Sequence, residues 1–273
     1  SRGPCSRPER LLPLPVELIE HISACYSLQN HALGIDNSSG KMTSISPCSP
    51  PVVTRDAKAY YNALTALLAK SDGRDKFLAA IQFVAMYGAA GQAGHLSNIA
   101  KNLGGARKPF RVLKPMEVLV GLLTSSPGKG PLLLRLLDKL KMLGFLAYFT
   151  GDHLVWGSSI GLIKDPIISQ NAAKVSMYGW LTASVATLVS ESFALAKTEK
   201  TAHKVSQGEL RDKRTKHCLV LAQNSCQVCV AGGALGFVKL SPRQIAACGV
   251  AMSLINLYFM CPPLPPAVKP KDA

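Results

Sequence analysis

The chain has 273 residues, of which 48% are hydrophobic and only 17% are charged, and its formal net charge is +15. The charged fraction lies below the quarter that is usual for soluble domains, which indicates membrane contact, and the positive surplus favours an anionic partner such as lipid or nucleic acid. Aromatic residues make up only 6%, and no RNA-binding or zinc-finger spacing occurs, which argues against a sequence-reading nucleic-acid module. The 8 cysteines do not follow the spacing of a small disulfide framework.

The first 54 residues are rich in Pro, Ser, Cys and Gly, and we predict that they form a disordered extension. The mildly apolar stretch Leu11 to Ser27 is interrupted by Pro13 and Glu17, so it does not fit a secretory signal. The remaining residues 55–273 are predicted to be all-α: a membrane-associated helical domain with amphipathic helices at its N-terminal end and an apolar helical hairpin at its C-terminal end.

Three amphipathic helices are predicted within residues 55–123: Thr54 to Lys70, Arg74 to Ala90, and Ser97 to Leu123. At 100° per residue the third helix separates apolar from basic side chains. Its apolar residues are Ile99, Leu103, Ala106, Phe110 and Leu113, and its bases are Lys101, Arg107, Lys108, Arg111 and Lys114. This pattern is typical of a helix that lies in an anionic membrane surface, and a core helix with a solvated basic face is the alternative.

Four apolar segments follow, at residues 132–163, 176–196, 218–238 and 245–261. The last two have no charged residue, and we expect them to form a membrane-spanning hairpin packed through small side chains. A hairpin buried in a soluble protein is the alternative. The second segment contains Glu191, which could line a pore or lie near the lipid headgroups.

Two motifs suggest chemistry. The sequence Gly157-Ser158-Ser159-Ile160-Gly161 has the spacing of a hydrolase nucleophile elbow, with His153 nearby, but the elbow needs a strand-to-helix turn and the preceding run is predicted to be helical. The Cys226-x-x-Cys229 pair could be half of a metal or redox site, but it lies in an apolar segment where cysteine is an ordinary small hydrophobe. We therefore expect no catalytic residue, no metal and no cofactor.

Four stretches occur in an order that resembles the peroxin-eleven family, the peroxisomal membrane proteins that drive peroxisome elongation and division. Gly73-Arg74-Asp75-Lys76 is similar to the family's GRDK motif, and the segment from Ala106 to Lys114 is similar to its ARK-x-FRL-x-K motif. The segment from Asp152 to Trp156 is similar to D-x-L-x-W, and the segment from Gly249 to Ile255 is similar to the family's apolar C-terminal helix.

This resemblance implies an all-helical protein of the peroxisomal membrane that self-associates and recruits fission machinery. Together with the apolar segments, it leads us to expect an integral, multi-pass protein that is not an enzyme. It further implies that the basic amphipathic helix inserts into the cytosolic leaflet, curving and elongating the membrane. A helical pore for small metabolites, a hydrolase using Ser159, and a sequence-independent nucleic-acid binder are the alternatives. Lys269 and Lys271 form a dilysine pattern that could bind coat proteins.

Two prolines depart from the family pattern. Pro109 and Pro115 each remove a backbone donor inside the predicted amphipathic helix. We therefore expect that helix to be bent, or split near Lys108 and Lys114.

Overall fold

A computed structural model of the chain describes residues 57–125 and 130–262. Every regular element in these two ranges is helical, which confirms the all-α fold class. The α-helices are α1 (Ala57–Ala69), α2 (Ser71–Ala89), α3 (His95–Ala106), α4 (Lys114–Thr124), α5 (Leu132–Ser159), α6 (Pro166–Lys200), α7 (Gln207–Ala234) and α8 (Pro242–Met260). The predicted extension at residues 1–54 and the dilysine pattern at Lys269 and Lys271 lie outside the described residues.

The helix boundaries follow from local chemistry. The Asp165 carboxylate accepts a hydrogen bond from the Ile167 backbone N–H at 2.8 Å and caps α6, whose first residue is a proline. Ser241 and Gln244 form a reciprocal capping box at the start of α8. α2 ends at a left-handed residue, Ala90, with φ of 51°. It begins at Ser71, so the predicted start at Arg74 was wrong by three residues, and the break between α1 and α2 lies at Lys70.

The predicted helix from Ser97 to Leu123 is split, as its two prolines indicated. α3 ends at Ala106, a 3₁₀ turn covers Pro109–Arg111, and α4 begins at Lys114 with Pro115 in its first turn. A proline is tolerated in a first turn because the missing N–H has no partner there in any case. The segment therefore consists of two short helices joined by a tight turn rather than one rod.

Helices α5 and α6 pack along much of their length through residues with little or no side chain. A Cβ added to Gly144 would lie 2.7 Å from the Gly179 carbonyl oxygen, and one added to Gly151 would lie 2.6 Å from the Ala172 oxygen. The buried residues of α6 are all small: Ala172, Ser176, Gly179, Ala183, Ser184 and Ala186. Small residues let two helix backbones approach this closely, as they do in membrane proteins.

A second packed region is the hydrophobic core made by α2, α7 and α8, against which Trp180 of α6 packs. Phe83 of α2 packs with Cys226, Val230, Cys248 and Met252. A Cβ on Gly249 would lie 2.0 Å from the Phe83 ring, so the missing side chain in α8 provides the space for this ring.

The structure contains a C-terminal helical hairpin, formed by α7 and α8, which pack against each other. Both helices begin before the predicted apolar segments, and α7 takes up part of the charged stretch 197–217. Within the described ranges, no helix is apolar over a stretch long enough to cross a bilayer. The helical hairpin is therefore present, and the prediction that it spans the membrane is not confirmed.

Candidate functional site

The bases predicted to face lipid come together with carboxylates from two other helices. The 3₁₀ turn at Pro109–Arg111 packs against α2, and the Ser71 hydroxyl donates to the Phe110 carbonyl at 2.6 Å. This contact holds the turn at the N-terminal end of α2, close to Asp75. The family-like motifs around Asp75, Arg107 and Asp152 therefore meet in one place.

Asp75 is the hub of this cluster and is completely buried. Its carboxylate accepts hydrogen bonds from Arg107 Nε at 3.0 Å and from Lys76 Nζ at 2.9 Å, and Arg111 Nε lies 3.2 Å away. Burial alone would raise the pKa of Asp75, but the positive charges of Lys76, Arg107 and Arg111 outweigh it and lower the pKa to about 2. Arg107 also donates to the Gln82 side chain at 2.7 Å.

A second carboxylate, Asp152 of α5, lies on the other side of the turn. Its Oδ2 is 3.0 Å from Arg111 Nη1, and its Oδ1 is 3.6 Å from Lys108 Nζ. Arg111 Nη1 also donates to the Tyr148 hydroxyl at 2.8 Å, and its guanidinium lies over the Tyr148 ring. The Arg111 side chain is only 6% exposed, so this residue ties the turn to α2 and α5 together.

Four cations thus face the carboxylates of Asp75 and Asp152. We call these six residues the ion cluster: Asp75, Lys76, Arg107, Lys108, Arg111 and Asp152. The hydrogen bonding in it is incomplete. Arg111 Nε and Asp152 Oδ2 are buried, yet neither makes a hydrogen bond of good geometry with a described residue, although both lie within ion-pair distance of a partner. The cluster therefore carries excess positive charge and a carboxylate oxygen with unused accepting capacity.

The remaining predicted bases behave differently. Lys114 Nζ binds Asp72 at 2.7 Å and Glu117 at 2.8 Å at the edge of the cluster. Lys101 is exposed on α3 and has no ion-pair partner within the described part of the chain. Of the five bases assigned to a lipid-facing side, only Lys101 lacks an ion-pair partner among the described residues. The sequence pattern did not reveal that the other four have partners within the protein.

The predicted apolar residues are in part turned outward. Leu113 is 68% exposed and Ile99 is 45% exposed, whereas Leu103 and Phe110 are half-buried. Further large apolar side chains are exposed on α4 and α5, namely Met116, Val120, Leu123, Leu132, Leu133, Leu136, Leu140 and Leu143. We call this set, with Leu113, the outer apolar face. A patch of large exposed side chains of this kind marks an interaction surface, because water would otherwise hydrate it at a cost.

Large apolar residues are exposed on α6 as well. Ile167, Val175, Tyr178 and Phe193 are exposed on a helix whose buried residues are only Ala, Gly and Ser. Between α5 and α6 lies an open apolar groove of about 540 Å³, lined by side chains that include Leu146, Leu154 and Ile168. Small residues inside and large residues outside are the reverse of a water-soluble core.

The two chemical motifs do not form active sites. Ser159 is the last residue of α5 and donates to the Trp156 carbonyl at 2.7 Å, and no strand occurs in the described ranges to form a nucleophile elbow. His153 Nδ1 contacts the Phe149 carbonyl one turn earlier on the same helix. Cys226 and Cys229 pack against Cys248, and the described residues contain no group of side chains suited to hold a metal ion.

Glu191, considered for a pore, is engaged between α6 and α7. Its carboxylate is 2.7 Å from His217 Nδ1, and both side chains are largely buried. The contact joins two helices, and no feature of it requires a solute pathway.

Comparison with known proteins gives a consistent family result. The sequence model of the family described as Peroxisomal biogenesis factor 11 (PEX11) matches residues 61–261. Peroxisomal membrane protein 11-1 of Oryza sativa subsp. japonica is 32% identical over 236 residues, covering 80% of this chain and 99% of the relative. Peroxisomal membrane protein 11C of Arabidopsis thaliana is 31% identical and covers 76% and 95%, and the Dictyostelium discoideum homologue is 24% identical and covers 74% and 95%. No solved structure matches the chain.

Proposed function

Because the chain belongs to the peroxisomal biogenesis factor 11 family, we propose that it acts at the peroxisomal membrane and reshapes it without catalysing a reaction. The α3–α4 segment inserts apolar side chains into the cytosolic leaflet, which expands that leaflet and promotes curvature and elongation. Self-association concentrates the inserted segments along a tubule, from which fission machinery divides the organelle.

The observation that carries this proposal is the outer apolar face. Leu113 and Leu123 are 68% and 75% exposed at the two ends of α4, and the exposed leucines of α5 extend the same apolar character. Burying each such leucine in hydrocarbon is worth about 1.5–3 kcal/mol, so a few of them suffice to hold a helix at the acyl boundary. Arg135 on the same helix as those leucines, and Lys101 on α3, provide positive charge for an anionic surface.

The proposed inserting element differs in shape from the amphipathic helix expected from the sequence. The inserted element is not one continuous basic helix, because the bend at the 3₁₀ turn separates α3 from α4. The apolar side chains of α4 and α5 are exposed in the folded chain, so they can reach lipid without unfolding. The small-inside, large-outside packing of α5 and α6 supports a lipid environment for this pair as well.

The test uses the full chain with vesicles of anionic and of neutral phospholipid. Flotation measures binding and electron microscopy measures tubules. The variant Leu113→Ser with Leu123→Ser removes two exposed leucines, and we expect its binding to fall by about tenfold per leucine and tubules to disappear. Tyr61→Ser, which removes an equally exposed side chain from α1, serves as the control and should bind as the wild type does.

Two results would contradict the proposal. The first is a wild-type chain that neither binds nor deforms anionic vesicles. The second is undiminished tubule formation by the double leucine variant.

A further inference from the structure

The bases of the ion cluster are occupied by the protein's own carboxylates, although their position in the sequence suits lipid phosphate. We infer that Lys108 and Arg111 form a phosphate site that Asp152 fills in the free protein, and that the phosphate of an anionic phospholipid takes the place of Asp152 at the membrane. This inference rests on the proposed function, since it names the headgroup contact that accompanies insertion.

The contacts of Asp152 are suited to exchange. Lys108 Nζ lies at 3.6 Å, which is within ion-pair range but longer than a hydrogen bond. Asp152 Oδ2 lies 3.0 Å from Arg111 Nη1 but accepts no well-aligned hydrogen bond from a described residue. A phosphate has more accepting oxygens than a carboxylate and binds the planar guanidinium through two parallel hydrogen bonds, so it can satisfy both bases better.

Asp75 differs from Asp152 in burial and hydrogen bonding, and this difference limits the exchange to Asp152. It is completely buried, and it accepts well-formed hydrogen bonds from Arg107 and Lys76. The Asp152 side chain is 15% exposed and the Lys108 side chain is 16% exposed, so a ligand from outside can reach this pair. Asp75 therefore keeps Arg107 and the Nε of Arg111 in the fold, while Asp152 releases Lys108 and the Nη1 of Arg111.

The excess of cations over carboxylates favours binding of an external anion over loss of the Asp152 contact without a replacement. Four cations face two carboxylates, so the cluster has room for further negative charge. In the free protein the Asp152 contact ties the 3₁₀ turn to α5. Replacement of Asp152 by a headgroup releases that tie at the surface where α4 presents Leu113 to the acyl chains.

The first experiment measures binding of the full chain to anionic and neutral phospholipid vesicles. Asp152→Asn removes the internal competitor, and we expect affinity for anionic vesicles to rise about tenfold, since each released cation near the surface contributes several-fold. Asp138→Asn, an exposed carboxylate on the same helix with only a 3.9 Å contact to Lys141, makes the same charge change and should alter binding by less than about twofold. Neutral vesicles should show no difference among the three proteins.

Two further variants guard against misfolding. Asp152→Glu keeps the carboxylate and should bind as the wild type does. Tyr148→Phe removes the hydroxyl that accepts from Arg111 without changing net charge, and it should raise anionic binding by a smaller factor than Asp152→Asn. If folded Asp152→Asn and Tyr148→Phe bind no better than Asp138→Asn, the inference is overturned.

The second experiment measures the accessibility of Lys108 directly. An amine-reactive reagent and mass spectrometry compare labelling of Lys108 with that of Lys101, which is the internal reference for a free lysine. We expect Lys108 to label several-fold more slowly in the wild type and about as fast as Lys101 in Asp152→Asn. Anionic vesicles should protect Lys108 in Asp152→Asn, and an equal concentration of inorganic phosphate should not. Protection by inorganic phosphate alone would assign the site to free phosphate and overturn the lipid assignment.

The two experiments separate the two ideas. Equal labelling of Lys108 and Lys101 in the wild type overturns the inference even if vesicle binding supports the proposed function. Failure of both the wild type and Asp152→Asn to bind anionic vesicles overturns both.

Discussion

Two of the joints that hold α5 in place are built from opposite materials. At the ion cluster, α5 contacts the 3₁₀ turn through the charged and polar side chains of Tyr148 and Asp152. Along α6, the same helix makes backbone-close contact at Gly144 and Gly151, with no side chain in between. The first joint is made of charged side chains whose partners an external ion can replace. The second joint depends on close backbone packing, for which no ligand can substitute.

This difference assigns a role to each joint. The contacts between small residues depend on fit, with one hydrogen bond from the Ser176 hydroxyl to the Tyr148 carbonyl at 3.0 Å. The α5–α6 pair is therefore expected to stay together whether its outer surface meets water or lipid. An ion pair depends on the surrounding charges, and an anionic surface competes for its cations. A protein that must change its contacts at a membrane while keeping its shape needs both kinds of joint.

The largest expected effect comes from removing the hub of the charged joint. Asp75→Asn leaves Arg107 and Arg111 buried without their central carboxylate, and losing one partner of a buried ion pair costs about 3 kcal/mol or more. Urea unfolding followed by circular dichroism should show this loss, with Asp138→Asn as the matched exposed control that changes stability by less than about 0.5 kcal/mol. Equal stability of the two variants would mean that the charged joint does not support the fold.

The shape-dependent joint is broken by a single methyl group. Gly144→Ala places a Cβ 2.7 Å from the Gly179 carbonyl oxygen, so the helices must separate, and overpacking of this kind costs about 2 kcal/mol. Thermal unfolding is the measurement. Gly105→Ala in α3 meets no atom within 4 Å and is the control, with stability raised by about 0.5 kcal/mol. A Gly144→Ala protein as stable as Gly105→Ala would show that the close approach is not required.

Acid should weaken the charged joint and leave the other one intact. The pKa of Asp75 is about 2 in the folded chain against an ordinary value of 3.8. Because the folded pKa is the lower one, the carboxylate stabilises the fold fully above about pH 4, and this stabilisation is lost as the pH falls towards 2. Between pH 5 and pH 2.5 the wild type should lose about 1.5 kcal/mol more than Asp75→Asn does. Parallel pH profiles for the two proteins would refute this assignment.

The smallest effect is expected at a charged contact outside both joints. Glu199 and Arg214 form an exposed pair between the end of α6 and the start of α7, with Arg214 Nε 2.6 Å from the carboxylate. Solvent screens such a pair, so Glu199→Gln should leave the melting temperature unchanged. A marked drop would show that exposed charge, and not only buried charge, holds the helices together.

The sequence predicted the helical elements well because their signals are local. Proline and glycine positions indicated the helix ends, and Pro109 with Pro115 correctly indicated a split in the amphipathic segment. The exact start of α2 was missed because Gly73, which usually breaks a helix, lies under the Leu67 carbonyl, where a Cβ would be only 1.9 Å away. A tertiary contact therefore explains a residue that local propensity assigns to a turn.

The ion cluster could not be predicted in the same way. The helical projection that placed Arg107 and Arg111 on one basic side assumed a continuous helix, whereas α3 ends at Ala106 and Arg111 lies in the 3₁₀ turn. Their partners are distant in the chain: Asp75 precedes Arg107 by 32 residues, and Tyr148 follows Arg111 by 37. The one available signal was that Asp75 and Asp152 each occur in a family-like motif. Two motifs thus contribute one acidic residue each, and a third motif contributes the basic residues.

The length of α6 has a mechanical consequence. Its 35 residues make a rod of about 52 Å without an internal proline, and α5 stiffens much of it from one side. A stiff helix that lies on a flexible bilayer resists bending of the bilayer along the helix axis and leaves bending across that axis free. If the chain reshapes the membrane as proposed, aligned copies would therefore favour a cylinder over a sphere. The longest of the described helices would then set the direction of curvature, and the inserted side chains would set its sign.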